Sequence, residues 1–143
     1  MKFLKSIPLF FLLAGTAVAE ESEAVQLAEE ATQSWLTLVD AGNYAESWRE
    51  AAAIFKQQLT EREWVDTASA VRTPFGSLAS RQLQSAEYST TLPGAPEGEY
   101  VVLTFEAEYE HMPSAIETAT AMMDEGEWRV AGYYIRPATD PGS

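Results

Sequence analysis

The fold is decided by a stretch that begins with Glu99-Tyr-Val-Val-Leu-Thr-Phe-Glu-Ala-Glu-Tyr109. Two further segments follow it, Ile116-Glu-Thr-Ala-Thr-Ala-Met-Met123 and Trp128-Arg-Val-Ala-Gly-Tyr-Tyr-Ile135. In the first segment apolar side chains alternate with polar ones, which is the period-2 pattern of a strand with one buried face. Short turn signals separate the three segments. Together they predict an antiparallel meander.

A fourth, more polar strand is predicted over 77–88. Its apolar residues do not keep one alternation, so we expect a bulge near Ser80 and Arg81. The loop Leu92-Pro-Gly-Ala-Pro-Glu-Gly98 carries the densest turn signal in the chain and is expected to join this strand to the next. Gly132 lies inside the last predicted strand, and such a glycine indicates a bulge, a bend or a close approach. A larger side chain there is expected to cause strain.

Three helices are predicted before residue 73, because apolar residues recur there at spacings of three and four. The first covers 21–39 and ends near Gly42, since glycine adopts the left-handed conformation that closes a helix. Asn43 and Thr60 are predicted to cap the second and third helices, each with a glutamate three residues later. Each helix presents one tryptophan that is expected to pack in the core: Trp35, Trp48 and Trp64.

The apolar face of the sheet has to be covered, and the helices that precede it are the segments able to do so. The predicted fold class is therefore α+β, with three N-terminal helices packed on one face of a curved four-stranded antiparallel sheet. A chain of 143 residues suits one such domain, which we place at 20–137. Residues 138–143 are expected to form a flexible tail.

Residues 1–19 have the pattern of a cleaved secretory signal peptide. Lys2 and Lys5 precede a short apolar block, and Ala17-Val-Ala19 supplies the small residues of a cleavage site. We expect cleavage after Ala19 and a periplasmic or secreted protein. No membrane span is expected after cleavage, because the apolar block is too short to cross a bilayer.

Composition narrows the range of partners and cofactors. The formal net charge of −13 disfavours binding to nucleic acid and to anionic lipid. With one histidine, His111 in a predicted turn, and no cysteine, neither a transition-metal site nor a disulfide is expected. The chain also lacks the glycine-rich loops that hold phosphates, so no nucleotide cofactor is expected. A protein partner or a small ligand stays open, and the oligomeric state is not determined.

Several short motifs follow one another along the chain, with Trp64 and Arg81 between them. They are Trp35-Leu-x-Leu-Val-Asp40-x-Gly42, Arg72-x-Pro74-x-Gly76, Leu92-Pro-Gly-Ala-Pro-x-Gly98, Glu117-Thr118 and Trp128-Arg-Val-x-Gly-Tyr133. In this order they resemble DUF4019, a family of small secreted bacterial proteins of unknown function. The resemblance implies helices followed by a curved sheet, similar to cystatin-like or NTF2-like folds. It implies no catalytic residues, and fold alone does not fix function.

Polar residues within the predicted strands are the candidate site residues. Strand alternation places Glu106 and Glu108 opposite the core. Glu117 shares the parity of small alanines that could form the floor of a pocket, so it could act as a general base with Tyr133 or Arg81 as its oxyanion partner. The alternative is that these side chains form structural pairs.

Two functions follow from these alternatives. The leading hypothesis is a non-enzymatic extracytoplasmic binding or interaction module whose curved sheet recognises a partner protein or a small ligand. The other is a small-molecule enzyme of NTF2-like type, an isomerase or cyclase with acid–base chemistry in a sheet–helix pocket. A buried, unpaired Glu117 in an enclosed pocket would favour the enzyme. A concave side filled by the predicted tryptophans would favour the module.

Overall fold

A computed structural model describes residues 9–138 of the chain, with side chains from residue 17 onward. Within these residues, helices occupy the first half and strands the second. The helices are α1 Leu9–Asp40, α2 Tyr44–Glu50, α3 Ala53–Gln58 and α4 Glu61–Arg72, followed by a 3-10 turn at Thr73–Phe75. The strands are β1 Leu78–Ser89, β2 Tyr100–Tyr109, β3 Met112–Asp124 and β4 Glu127–Pro137.

The strands form one open antiparallel sheet in the order β1-β2-β3-β4. Val101 of β2 pairs with Ala121 of β3, and that alanine pairs with Val130 of β4. All three side chains are buried under the helices. The structure confirms the predicted α+β class and the four-stranded antiparallel sheet.

Bulges decide which side chains of the two edge strands face the helices. In β1 the register shifts at Ala79 and again at Gln84, so the predicted bulge lies next to Ser80 and a second one follows. In β4 the register shifts at Ala131, which lets Val130 and Tyr133 face the same side although they are three residues apart. Strict alternation along β4 would place the two side chains on opposite faces.

Gly132 has open space around it: an added Cβ would meet no heavy atom within 4 Å. The expected strain on a larger side chain at this position is therefore wrong. The bulge that the glycine signals lies one residue earlier, at Ala131.

The second predicted helix is divided in two. The backbone is extended at Ala51 and Ala52, and the amide of Ala52 donates to the carbonyl of Val130 at 2.8 Å. The chain leaves the helix because this bond satisfies a carbonyl at the sheet edge. Asn43 lies at the predicted N-cap position of α2 but its side chain makes no capping hydrogen bond, whereas Thr60 forms the predicted capping box.

Helix α1 begins at Leu9, earlier than predicted, and runs through the expected cleavage site. Residues 1–8 of the predicted signal peptide and 139–143 of the predicted tail lie outside the described residues, so both remain predictions. Ala138, the first residue of that tail, donates to the carbonyl of Ser114 at 3.0 Å. No described helix is both long and apolar enough to cross a membrane.

Aromatic rings fill one end of the layer between helices and sheet. The ring centroids of Trp35 and Trp64 lie 5.7 Å apart, and that of Phe55 lies 5.1 Å from Trp64. Ser47 is fully buried and accepts both indole N–H groups, through its carbonyl from Trp35 and its hydroxyl from Trp64. Trp48 is half-buried against this group. The predicted core positions of Trp35 and Trp64 are confirmed, whereas Trp48 only borders the core.

Candidate functional site

The other end of the same layer holds hydrogen-bonded polar side chains, which we call the polar cluster. Each comes from a different helix or strand, so the cluster joins two helices to all four strands. In the order α1, α4, β1, β2, β3, β4, its members are Asp40, Arg72, Arg81, Tyr109, Glu117 and Tyr133.

Glu117 lies at the centre of the polar cluster. It pairs with Phe105 on β2 and Ile135 on β4, which places its fully buried side chain on the helix-covered face. Its Oε1 accepts from Arg81 Nε at 2.7 Å, and its Oε2 accepts from Arg81 Nη2 at 3.2 Å. Oε2 also accepts from the hydroxyl groups of Tyr109, at 2.8 Å, and Tyr133. Four donors therefore occupy this carboxylate.

Arg81 connects the sheet to the end of α1. Besides Glu117 it binds Asp40, with Nη1 donating to Oδ2 at 2.8 Å and Nη2 donating to Oδ1 at 2.9 Å. Its strand partner is Ala107, whose small side chain leaves room for the guanidinium. Two forked pairs of this kind fix the plane of the guanidinium as well as its position.

Arg72 completes the polar cluster from the last residue of α4. Its Nη2 donates to Asp40 Oδ1 at 2.7 Å, and its guanidinium lies over the ring of Tyr109 at 4.7 Å from the centroid. Only 6% of its side chain is exposed, yet its Nε and Nη1 have no hydrogen-bond partner. Two guanidinium groups thus face two carboxylates, so the polar cluster has no net charge when its tyrosines are neutral.

The pKa values of Asp40, Arg81, Tyr109 and Tyr133 are shifted in the directions that keep these groups in their ordinary charge states. Burial alone would raise the pKa of Asp40, but hydrogen bonds from Arg81 and Arg72 outweigh burial and hold it below its usual value. Burial would lower the pKa of Arg81, but its bonds to the two carboxylates raise it. Burial, together with the charge of Glu117, raises the pKa of Tyr109 and Tyr133. At neutral pH the arrangement is therefore fixed.

The structure brings together all three candidate residues named from sequence: Arg81, Glu117 and Tyr133. Glu106 and Glu108 are exposed on the opposite face, as alternation predicts. Sequence analysis missed three cluster members: Asp40, Arg72 and Tyr109. Tyr109 shares its strand parity with buried residues, which was the available signal. Asp40 and Arg72 lie in family motifs, but their positions at the ends of α1 and α4 gave no signal that they are buried together, because helix ends are usually solvated.

Metal ligands are not gathered anywhere in the described part of the chain: no group of three or more His, Cys, Asp or Glu side chains could hold a metal ion. His111 lies in the turn between β2 and β3 with 64% of its side chain exposed. Its nearest charged neighbour is Glu110, with 3.6 Å between Nε2 and Oε1.

Comparison with known proteins gives a family and no activity. Residues 31–133 match the family model described as "Protein of unknown function (DUF4019)". The chain belongs to the DUF4019 family. No curated protein matches it. All six members of the polar cluster fall within the matched range, and five of them lie in the motifs and single residues on which the resemblance rests, Tyr109 being the exception.

Two clefts in this DUF4019 chain adjoin β4 between Ala131 and Ile135. The inner cleft, ≈ 130 Å³, lies between α4 and β4 and is lined mainly by apolar side chains together with Arg72 and Tyr133. The outer cleft, ≈ 590 Å³, crosses the edge of the sheet at Ala131 and Gly132 and continues onto the face that carries no helix. Glu117 lines neither cleft.

Proposed function

We propose that this DUF4019 protein is an extracytoplasmic, non-enzymatic binding or interaction module. One observation carries the proposal: the carboxylate of Glu117, the side chain best placed for acid–base chemistry, accepts four hydrogen bonds. A general base needs a free lone pair within reach of its substrate. Here Arg81 and two tyrosines hold the lone pairs instead.

The contents of the helix-covered side support the same conclusion. Trp35, Phe55 and Trp64 occupy its aromatic end, and the polar cluster occupies the rest. An isomerase or cyclase of NTF2-like type needs a cavity in this layer that reaches its base. The inner cleft touches Tyr133 and Arg72 but not Glu117, so the geometry favours a structural role for the polar cluster.

The export signal supports an extracytoplasmic location. Lys2, Lys5, the apolar block and Ala17-Val-Ala19 form a complete leader pattern in the sequence. We also group the fold with cystatin-like or NTF2-like folds, on the order of its elements alone.

The location is tested by expressing the full chain in a bacterium and measuring the intact mass of the exported product. We expect a species that begins at Glu20. A species that retains residues 1–19 in the membrane fraction would contradict the proposed location.

The binding role is tested by photo-crosslinking in the exported protein. A photoreactive residue is placed at exposed positions one at a time, over the helices, the open sheet face and both sheet edges, and adducts are identified by mass spectrometry. We expect one contiguous set of positions to give the same adduct. The Glu117→Gln protein, measured on its folded fraction, is expected to keep that adduct.

Two outcomes would contradict the module hypothesis. One is a scan that gives no specific adduct at any position. The other is a Glu117→Gln protein that keeps its melting temperature but loses the adduct, because Glu117 would then contact the ligand directly.

A further inference from the structure

The two edges of the sheet differ in how well they are protected. An exposed edge strand presents unpaired backbone groups that another chain can join, and proteins blunt such edges with bulges and charges. The β1 edge has bulges at Ala79 and Gln84 and carries Arg81 and Glu87. The β4 edge has one bulge, at Ala131, and its charged residues lie toward its ends, at Glu127, Arg129 and Arg136, so the segment Val130-Ala-Gly-Tyr-Tyr-Ile135 contains none.

The register of β4 shows which of its backbone groups point away from the sheet. Ala138 donates to Ser114 of β3, and alternate residues of an antiparallel strand share one hydrogen-bonding direction. Arg136, Tyr134 and Gly132 therefore also bond to β3. The N–H and C=O groups of Tyr133 and Ile135 point outward.

The ends of this outward row are already closed. At one end, the Val130 carbonyl accepts from Ala52. At the other, Pro137 has no N–H to offer. Between them, Tyr133 and Ile135 form no backbone hydrogen bond to any described helix or loop. The open part of the edge is thus short and has defined ends.

The inner cleft lies on the helix side of this open edge, and the outer cleft crosses the edge onto the face that carries no helix. On the helix side, the inner cleft is lined by residues that include Val39, Trp64, Ala68, Val71 and Ile135. On the outer side, the larger cleft is lined by residues that include Leu92, Pro93, Val102, Thr118 and Thr120. Successive side chains of a strand point to opposite faces, so a strand added to β4 would place alternate side chains in the two clefts.

The charge of the clefts indicates what kind of segment fits. The chain has 22 acidic residues, yet no carboxylate lines either cleft among the described residues. Arg72 is the one charged residue that does, and Asp40 pairs with it. Uncharged side chains match these walls, and the smaller inner cleft suits the smaller of them.

We propose that the β4 edge binds an extended, uncharged segment of a partner protein by adding it to the sheet as a fifth strand. The inference rests on the proposed binding function and names its site and its partner class. The backbone groups of Tyr133 and Ile135 supply the hydrogen bonds, and the two clefts select the side chains. A second copy of the chain fits less well, because a net charge of −13 on each copy opposes self-association.

The test uses a display library of random peptides about eight residues long, selected against the exported protein. We expect the selected peptides to carry an aliphatic residue at every second position and to contain no charged residue. In the ¹⁵N-labelled protein, a selected synthetic peptide is expected to slow hydrogen exchange at the amides of Tyr133 and Ile135. Methylating the peptide's edge-facing amide nitrogens should remove binding, since the donors are then lost.

Protein variants localise the effect. Ile135→Pro removes one outward N–H and leaves the ladder to β3 intact, and Gly132→Phe fills the outer cleft where there is open space. Each is expected to weaken peptide binding about tenfold or more. Ile135→Val, which keeps the N–H, and Gln82→Val, on the same outer face at the other edge, are expected to bind as the parent does. If Ile135→Pro fails to fold, Gly132→Phe decides the question.

Three results would overturn the proposal. The first is a selection that yields no peptide binding above background. The second is peptides that bind Ile135→Pro and Gly132→Phe as tightly as the parent. The third is a chain that dimerises through this edge at micromolar concentration. Crosslinks that form elsewhere on the surface would overturn the edge assignment and leave the module hypothesis standing. A crosslink scan without any adduct would overturn both.

Discussion

The aromatic end and the polar cluster occupy the same layer between helices and sheet, and they hold the helices in place by different means. At the aromatic end, Trp35, Phe55 and Trp64 exclude water and contact one another through rings. Apolar burial of this kind is non-directional and tolerates small shifts. At the polar end, Arg81 and Glu117 are almost fully buried ions, and burial of such ions is favourable only when every partner is present.

Tyr133 belongs to both ends. Its ring centroid lies 5.5 Å from that of Trp35 and 6.4 Å from that of Trp64, while its hydroxyl donates to Glu117. The position of Tyr133, which the bulge at Ala131 sets, therefore couples the packing of the aromatic rings to the pairing of the buried ions. Substitutions that separate the two contributions can measure each of them.

The largest effect is expected from Trp64→Ala at the aromatic end. The ring is 5% exposed, and removing a buried large aromatic side chain costs about 3 to 5 kcal/mol of unfolding free energy. Chemical denaturation measures this loss. Trp48→Ala, at a half-buried position, serves as the control with a smaller loss. A loss below about 1 kcal/mol for Trp64→Ala would show that the ring is not part of the core.

Glu117→Gln breaks the polar end while keeping its shape. Arg81 then loses one of its two carboxylates in a buried site, which we expect to lower the unfolding free energy by about 3 kcal/mol. Glu106→Gln, an exposed change of the same chemistry, should stay within about 0.5 kcal/mol of the parent. An equal loss of unfolding free energy in the two variants would show that the polar cluster does not stabilise the fold.

Tyr133→Phe separates the two ends, because it keeps the ring and removes only the hydroxyl. The buried carboxylate of Glu117 loses one of its donors, and a hydrogen bond to a charged group contributes about 2 kcal/mol. Tyr134→Phe is the matched control, since that side chain is 69% exposed. If Tyr133→Phe unfolds at the same denaturant concentration as the parent, the contribution of Tyr133 is packing alone.

The smallest expected effect is a pH dependence that comes from Asp40. Its pKa in the folded protein lies below its ordinary value because Arg81 and Arg72 donate hydrogen bonds to its carboxylate, so the unfolded chain takes up a proton first as the pH falls. The stability that Asp40 contributes is complete above that ordinary value of 3.8 and is lost as the pH falls through the folded pKa.

Thermal melts between pH 5 and 2, about the range in which carboxylates titrate, measure this loss. Asp40→Asn should flatten the dependence of melting temperature on pH, whereas Asp66→Asn, at an exposed position, should leave it steep. The same slope in the parent and in Asp40→Asn would mean that other carboxylates account for the acid sensitivity.

Much of the layer could be predicted from local pattern. Alternation in β2 placed Val101, Leu103 and Phe105 in the core, and helical spacing placed Trp35 and Trp64 there, because each pattern depends only on residues close in the chain. The capping box at Thr60 was predictable for the same reason. The prediction of an unbroken second helix was wrong, because a tertiary hydrogen bond from Ala52 to β4 overrode the local preference. Asn43 begins that helix as predicted, but without the side-chain hydrogen bond of a capping box.

The sequence by itself determined the fold class, the buried face of each central strand and the family, and it selected Arg81, Glu117 and Tyr133 as unusual residues. Only the tertiary structure decided what these residues do. Asp40 and Arg72 are 32 residues apart in the chain and reach the same site from two helix ends, so no local spacing reveals their pairing. The bulges, too, are not revealed by local spacing, because pairing with β3 sets the register of β4. The shift at Ala131 turns the side chain of Tyr133 inward and leaves its backbone N–H and C=O facing outward.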